Sequence, residues 1–240
     1  YQRGDRTESD YADFVESEVR PVFRRWQQRA IAEQQLVPQV VYGYFPCLAD
    51  KNELITWPGL QGGRPAGEPV RYTFPRQPTG RRLCVADFFL SAEEARADPS
   101  GPQYDVLGLF VVTMGDRAST FAKDLFESND YRDYLHWHGF AVESAEALAE
   151  MWHKRMRAEL GIAAHDAKDM RKLFAQGYQG ARYAFGYPAC PDLEEQTRTA
   201  RLLDPRRIGV ELSETFQWHP EQTTSAVVVH HPEARYFVIR

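Results

Sequence analysis

A single arginine among glycines, prolines and aromatic rings is the feature of this sequence best suited to binding chemistry. It lies in the stretch YQGARYAFGYPACPD, residues 178–192, where glycine and proline interrupt regular backbone around Arg182. The guanidinium fork of an arginine can pair bidentately with a carboxylate. Backbone near Gly186 can hydrogen-bond a planar heterocycle, and Tyr187 can stack or offer its hydroxyl. The residue types alone leave two interpretations open, a ligand-capturing loop and a structural turn.

The same stretch contains Cys190, which raises the possibility of a thiol enzyme. A reactive thiolate needs a neighbouring base or the positive end of a helix. The sequence does not place His153 or Arg182 against the sulfur, so a catalytic thiol and a small buried thiol both remain open. The three cysteines are widely spaced and odd in number, which favours a reducing compartment, and we expect the cytoplasm.

The seven histidines do not form a metal-binding pattern. His136 and His138 would point about 200° apart on a helix, and His230 and His231 would point to opposite faces of a strand. Neither pair converges on one ion without irregular backbone. We therefore predict no metal site.

Composition excludes several classes of function. The chain has 240 residues, with 29 Lys and Arg against 34 Asp and Glu, a formal charge of -5. No global positive field attracts nucleic acid. The longest apolar runs, near residues 107–114 and 226–229, are far shorter than the roughly 20 residues of a membrane-spanning helix. We expect neither a nucleic-acid partner nor a membrane span.

Helical periodicity dominates two parts of the chain. The first is an amphipathic opening segment, residues 11–26, in which Pro21 is either a kink or the first-turn residue of a second helix. The second runs from about residue 119 to 160. A break is expected near residues 128–130 and a further break at Gly139 is left open, so the pattern predicts two or three helices. In its last helix Glu146, Glu150 and His153 follow at i, i+4 and i+7, so these three side chains share one edge.

The remaining periodicity predicts strands around a helical middle. The predicted strands are 39–44, 54–57, 70–74, 106–114, 210–212, 224–230 and 236–239, with a hairpin tip at 58–68. Residues 106–114 are nearly all apolar and predict a central strand buried on both faces. Short helices are expected at 167–176 and 193–203, with a loop at 177–192 between them. This order predicts one α+β domain, residues 1–240, with a twisted, mainly antiparallel sheet and flanking helices, and not a Rossmann fold.

Six separated stretches resemble the activation domain of cobalamin-dependent methionine synthase, in the order of that family. The YQGARYAFGYPACPD stretch resembles its RxxxGYPAC signature. The others are VYGYFPC (41–47), VADFF (85–89), GLFVVTMG (108–115), AEALAEMWHKRMR (145–157) and HHPEARYF (230–237). The resemblance covers nearly the whole chain and implies the same non-Rossmann α+β fold.

The resemblance also implies which residues contact S-adenosylmethionine. Arg182 occupies the position of the signature arginine, and Ala184 and Tyr187 match further contact positions. Glu146 matches an acidic helix position, and Tyr236 and Phe237 match an aromatic pair near the C-terminus. Together with Gly186, these are the predicted ligand-binding residues.

Two positions depart from the family pattern. Gln176 stands where some members have a glutamate, six residues before the signature arginine. The family also uses an upstream residue, an aspartate in some members, and no counterpart is evident before Asp10.

The resemblance implies that the chain is a fragment of a larger multimodular methyltransferase, which converts homocysteine to methionine with methyltetrahydrofolate. Its task would be to bind S-adenosylmethionine and position the methyl group for reductive methylation of cob(II)alamin. Another module of the same polypeptide would carry the cobalamin, and a flavodoxin-like or other reductase would supply the electron. The isolated chain would then bind the ligand without turnover. The alternative is an interaction module with the same fold and no ligand affinity.

Overall fold

A six-stranded antiparallel sheet forms the centre of the molecule, in a computed structural model that describes residues 3–98 and 103–239. The strand order is β5-β2-β1-β6-β10-β7. Its strands are β1 (Gln39–Asp50), β2 (Glu53–Thr56), β5 (Val70–Thr73), β6 (Asp105–Thr113), β7 (Ala181–Ala184) and β10 (Thr223–Val229). Two small ribbons pair β3 (Gly59–Gln61) with β4 (Arg64–Ala66) and β8 (Glu211–Leu212) with β9 (Trp218–His219).

Seven α-helices flank this sheet in the described part of the chain. They are α1 (Glu8–Phe14), α2 (Arg20–Ala32), α3 (Ala92–Ala97), α4 (Asp116–Glu127), α5 (Tyr131–Glu159), α6 (Met170–Phe174) and α7 (Gln196–Leu203). None of the described helices is long and apolar enough to cross a bilayer. The predicted α+β class, with an antiparallel sheet and flanking helices, is confirmed.

The predicted central strand is also confirmed. Strand β6 lies between β1 and β10, and its residues from Leu107 onward are buried on both faces. One face belongs to the main core, and the other packs against α5 through residues such as Phe110 and Met156. A Cβ added at Gly108 would lie 2.9 Å from both Met156 and Val228, so glycine permits this close helix-to-sheet packing.

Four local predictions need comment. Pro21 lies in the first turn of α2, the second of its two predicted roles, and a π-helical turn, Val15–Val19, connects α1 to α2. Of the two or three helices left open for residues 119–160, the structure has two, because α5 runs unbroken through Gly139 for 29 residues. The predicted loop at 177–192 is wrong in part, because Ala181–Ala184 form β7. The predicted strand at 236–239 is also wrong.

The segment 231–239, here called the C-terminal strap, contains a turn but no strand, and side chains hold it to the rest of the molecule. The hydroxyl of Tyr183 donates a hydrogen bond to the Arg235 carbonyl (2.8 Å), and the amide of Gln77 donates to the Val238 carbonyl (2.8 Å). These bonds replace the backbone ladder that a strand would need, and they fix the strap over one end of β7.

Candidate functional site

Arg182 lies on β7, the last strand of the sheet. Residues alternate along β7, so Ala181 and Tyr183 are buried in the main core while Arg182 and Ala184 point to the side occupied by α5. Gly180 starts the strand with a positive φ of 84°. A Cβ at this position would lie only 2.4 Å from the Val229 carbonyl oxygen, so only glycine allows β7 to pair here with β10.

Two glutamates of α5 flank the Arg182 guanidinium. The Nη2 atom of Arg182 lies 3.4 Å from Glu146 Oε2, and its Nε atom lies 3.5 Å from Glu150 Oε2. The two glutamates are one helical turn apart, as their spacing predicted, and therefore share the edge of α5 that faces β7. Both contacts are longer than a good charge-assisted hydrogen bond, so the guanidinium is held loosely.

These side chains line an open cleft of about 310 Å³, here called the Arg182 cleft. Its lining residues are Glu146, Glu150, Phe174, Gln176, Tyr178, Arg182, Ala184, Tyr187 and Tyr236. A neighbouring cleft of about 420 Å³ shares Glu146 and Tyr187 with it. The structure therefore brings together Arg182, Ala184, Tyr187, Tyr236 and Glu146 from the predicted set.

The other two predicted residues lie outside this lining. Phe237 points into the main core, where its ring packs against Tyr183 and Phe88 at 5.7 and 6.3 Å between centroids. It anchors the C-terminal strap and so places Tyr236 at the cleft. Gly186 forms the bend after β7 with a φ of 84°, and its N–H donates to the Cys190 carbonyl at 2.9 Å. That N–H is therefore already used within the protein, and the bend directs the half-exposed ring of Tyr187 to the cleft.

Gln176 joins the cleft to the C-terminal strap. Its Oε1 atom accepts a hydrogen bond from the Tyr236 backbone N–H at 3.3 Å. The glutamine that departs from the family pattern thus has a structural contact of its own, in addition to lining the cleft.

A buried polar cluster beneath the cleft was not anticipated from the sequence. Arg157 has no exposed side-chain surface, and it donates to His153 Nδ1 (2.9 Å) and to Asp166 (2.8 Å). Its guanidinium also lies 3.9 Å from the ring centroid of Tyr178, which lines the cleft. Burial, and then the charges of Arg157 and Arg182, hold the pKa of His153 well below its usual value, so this imidazole is neutral.

His153 and Arg157 extend the edge of α5 that carries Glu146 and Glu150. The i, i+4, i+7 spacing placed His153 on this edge, and Arg157 follows four residues later. That spacing was the available signal for Arg157, but its burial depends on Asp166 and Tyr178 from a distant part of the chain. The cluster supports the Arg182 cleft through Tyr178, whose ring packs against the Arg157 guanidinium.

The described residues form neither a thiol centre nor a metal centre. Cys190 is buried, and burial, followed by the nearby carboxylates of Glu195 and Asp192, raises the pKa of its thiol far above neutrality. Residues 3–98 and 103–239 contain no group of three or more His, Cys, Asp or Glu side chains placed to hold an ion. The structure therefore gives no support to a thiol enzyme.

Comparison with known proteins decides the family. The family model described as "Vitamin B12 dependent methionine synthase, activation domain" matches residues 13–240. The chain belongs to this family. The resemblance of the six sequence stretches is thereby confirmed.

The relatives of this activation domain are much longer proteins. The chain is 49% identical over 245 residues to the methionine synthase of Mycobacterium tuberculosis, covering 98% of this chain and 20% of that protein. It is 46% identical over 235 residues to the methionine synthase of Mycobacterium leprae, covering 95% of this chain and 19% of that protein. The chain thus spans about a fifth of the length of these relatives.

A solved structure shares the fold of this activation domain. The crystal structure of the MetH reactivation domain bound to AdoHcy matches with a TM-score of 0.82 and 26% identity, over 95% of this chain and 72% of that one. That domain holds AdoHcy, the demethylated form of S-adenosylmethionine.

Proposed function

We propose that this activation domain binds S-adenosylmethionine in the Arg182 cleft and positions its methyl group for transfer to cobalamin. The chain would act within a methionine synthase that methylates homocysteine with methyltetrahydrofolate. The cobalamin would be carried by another module of the same polypeptide, and a flavodoxin-like or other reductase would dock transiently. Residues 1–240 would form one domain of that larger enzyme. The cytoplasmic location favoured by the cysteines stays a prediction.

One observation carries the proposal: a guanidinium lies between two carboxylates in an open cleft beside aromatic rings. The amino-acid end of S-adenosylmethionine bears a carboxylate and an ammonium, and its sulfur is a cation. Arg182 is complementary to the carboxylate, and Glu146 and Glu150 are complementary to the two positive groups. Tyr187 and Tyr236 are half exposed at the rim, where a ring can cover a sulfonium or an adenine.

The chain's own contribution to the reaction would be geometric. When bound to its module, cobalamin supplies the cobalt centre that accepts the methyl group. Holding the donor at a fixed place and orientation lowers the entropic cost of such a transfer. This role requires no general base, and the imidazole of His153, on the same edge of α5 as Glu150, is neutral and fully buried.

The test is calorimetric titration of S-adenosylmethionine into the chain and its Arg182→Ala variant. Loss of a charge-assisted carboxylate contact predicts about a hundredfold weaker binding. Arg206→Ala, which removes an exposed arginine paired with Asp204 on another surface, is the matched control and is expected to bind as the wild type does. Equal affinity of the Arg182→Ala variant and the wild type would refute the assignment.

The isolated chain also tests whether methyl transfer requires the cobalamin-binding module. Mixed with free cobalamin, a reductant and S-adenosylmethionine, it is expected to bind the donor without methyl transfer at enzymatic rates. Transfer at such rates by this chain alone would contradict the proposal that another module must present the corrin.

A further inference from the structure

Glu150 has an unusual environment for a carboxylate at the edge of a cleft. Its side chain is 22% exposed, against 36% for Glu146, so it lies deeper on the same edge of α5. Its Oε2 atom makes the long contact with Arg182. Its Oε1 atom is buried and has no hydrogen-bond partner among residues 3–98 and 103–239. A buried carboxylate oxygen without a donor is unfavourable, so this position is suited to a donor that arrives with a ligand.

The covalent structure of the proposed ligand limits which donor can reach this atom. In an amino acid the ammonium and carboxylate are attached to the same carbon, so both must bind close to one point of the protein. If Arg182 holds the carboxylate, the ammonium lies beside the Arg182 guanidinium. The sulfonium is separated from that carbon by a two-carbon linker and therefore lies farther along the cleft.

We infer that Glu150 accepts the α-ammonium group of the ligand and makes the Arg182 cleft selective for intact amino acids. This inference rests on the proposed function. Arg182 and Glu150 together form a clamp for the zwitterion, in which each charge of the ligand meets its opposite. Ligand binding then exchanges the loose Arg182–Glu150 contact for two contacts with the ligand.

Glu146 has a different place in this arrangement. It lines both the Arg182 cleft and the neighbouring cleft, next to Tyr187. We place the rest of the ligand along the path from the Arg182 cleft to the neighbouring cleft, which passes Glu146. On that path Glu146 faces the sulfonium, and Glu150 remains for the ammonium.

Calorimetry with three ligands can distinguish the roles of Glu146 and Glu150. S-adenosylmethionine has both positive groups, S-adenosylhomocysteine keeps only the ammonium, and the deaminated 2-oxo acid analogue of S-adenosylhomocysteine has neither. Each is titrated into the wild type and the Glu150→Gln, Glu150→Asp and Glu143→Gln variants. Glu143 is exposed on the same helix, outside the cleft lining, and is the matched control. Thermal unfolding verifies that each variant is folded.

We expect Glu150→Gln to weaken the binding of S-adenosylmethionine and of S-adenosylhomocysteine by the same factor, about tenfold or more. Both ligands lose a charged partner for their ammonium group. The affinity of the 2-oxo analogue for this variant is expected to equal or exceed its affinity for the wild type. The reason is that the substitution removes a negative charge beside the carboxylate of the analogue. Glu150→Asp keeps the charge and is expected to retain part of the affinity for the two ligands that carry an ammonium. Glu143→Gln is expected to leave the affinities of all three ligands unchanged.

Two results would overturn the role of Glu150. One is unchanged binding of S-adenosylhomocysteine by Glu150→Gln. The other is an equal loss for S-adenosylhomocysteine and its 2-oxo analogue, since that loss would reflect the shape of the cleft and not the ammonium. Failure of the proposed function looks different, because the wild type would then bind neither S-adenosylmethionine nor S-adenosylhomocysteine.

Discussion

The side chain of Gln176 accepts a hydrogen bond from the backbone N–H of Tyr236 at 3.3 Å. This contact joins the turn after α6 to the C-terminal strap, and both residues line the Arg182 cleft. Gln176 has a positive φ of 59°, so the turn is held in a conformation that side chains rarely adopt. One wall of the cleft therefore depends on an acceptor at position 176, which either a glutamine or a glutamate provides.

Replacing Gln176 by glutamate tests whether the charge or the acceptor matters at this position. Gln176→Glu keeps the acceptor for Tyr236 and adds a negative charge beside the cleft. We expect it to strengthen binding of cationic S-adenosylmethionine severalfold relative to neutral-sulfur S-adenosylhomocysteine. Gln176→Ala loses the acceptor and is expected to weaken the binding of both ligands. Calorimetry checks both variants, and an unchanged ratio of the two affinities in Gln176→Glu would show that a charge at position 176 does not act on the sulfonium.

Gly180→Ala is expected to destabilise the edge of the sheet that carries Arg182. The added methyl would meet the Val229 carbonyl oxygen at 2.4 Å, at a φ of 84° that disfavours alanine. A cost of at least about 2 kcal/mol in the free energy of unfolding follows. Gly139→Ala is the matched control, because Gly139 lies within α5 with open space around it, and alanine there is expected to be neutral or stabilising. Urea denaturation measures the free energy of unfolding of both variants. Equal stability of Gly180→Ala and the wild type would contradict the close contact between position 180 and β10.

Two arginines of α5 are expected to differ sharply in their effect on stability. Arg157→Ala leaves Asp166 as a buried carboxylate without its cation and should cost about 3 to 5 kcal/mol. Arg155→Ala removes an arginine that is 58% exposed and paired with Glu159, and should change stability by less than about 1 kcal/mol. Denaturant unfolding of both variants checks the difference. Similar losses at the two positions would show that the buried cluster contributes nothing beyond an ordinary surface pair.

The His230–Asp105 ion pair predicts a pH dependence of stability. The two side chains lie 2.6 Å apart where β10 meets the C-terminal strap. The hydrogen bond with Asp105 raises the pKa of His230 against the opposing effect of burial. Burial alone would raise the pKa of Asp105, but hydrogen bonds from His230 and from the backbone of Leu90 and Val106 outweigh it and lower that pKa.

A histidine whose pKa is raised by folding stabilises the fold below its unfolded pKa, and this contribution disappears as the pH rises through the folded pKa. The lowered pKa of Asp105 means that its own contribution disappears only in acid. The free energy lost in His230→Gln should therefore be larger at pH about 6 than at pH about 9. His219→Gln, at an exposed histidine, is the control. Denaturant unfolding of the wild type and both variants at the two pH values measures this difference. If His230→Gln lowered the free energy of unfolding equally at both pH values, the charged pair would be contradicted.

The sequence predicted those parts of the site that depend on local periodicity. The spacing of Glu146, Glu150 and His153 placed them on one edge of a helix, and that edge faces the cleft. The apolar run at 106–114 predicted the central strand because burial on both faces removes polar residues. Both signals lie within a single element and need no knowledge of partners.

The parts that the sequence did not reveal depend on contacts between distant residues. Strand β7 has only four residues, and its strand structure depends on pairing with β10, whose residues follow 42 to 48 positions later in the chain. The apolar residues 236–239 predicted a strand, but the C-terminal strap is held by the side chains of Tyr183 and Gln77. The burial of Arg157 depends on Asp166 and Tyr178. No local pattern encodes which distant group will meet such a residue.

A crystal structure of this chain with S-adenosylhomocysteine tests the central claim most directly. The account predicts the amino-acid end of the ligand in the Arg182 cleft, with its carboxylate on the Arg182 guanidinium and its ammonium on Glu150. The thioether is predicted to lie beside Glu146, with the adenosine toward Tyr187. A ligand bound elsewhere, or one whose carboxylate is held by a residue other than Arg182, would contradict it.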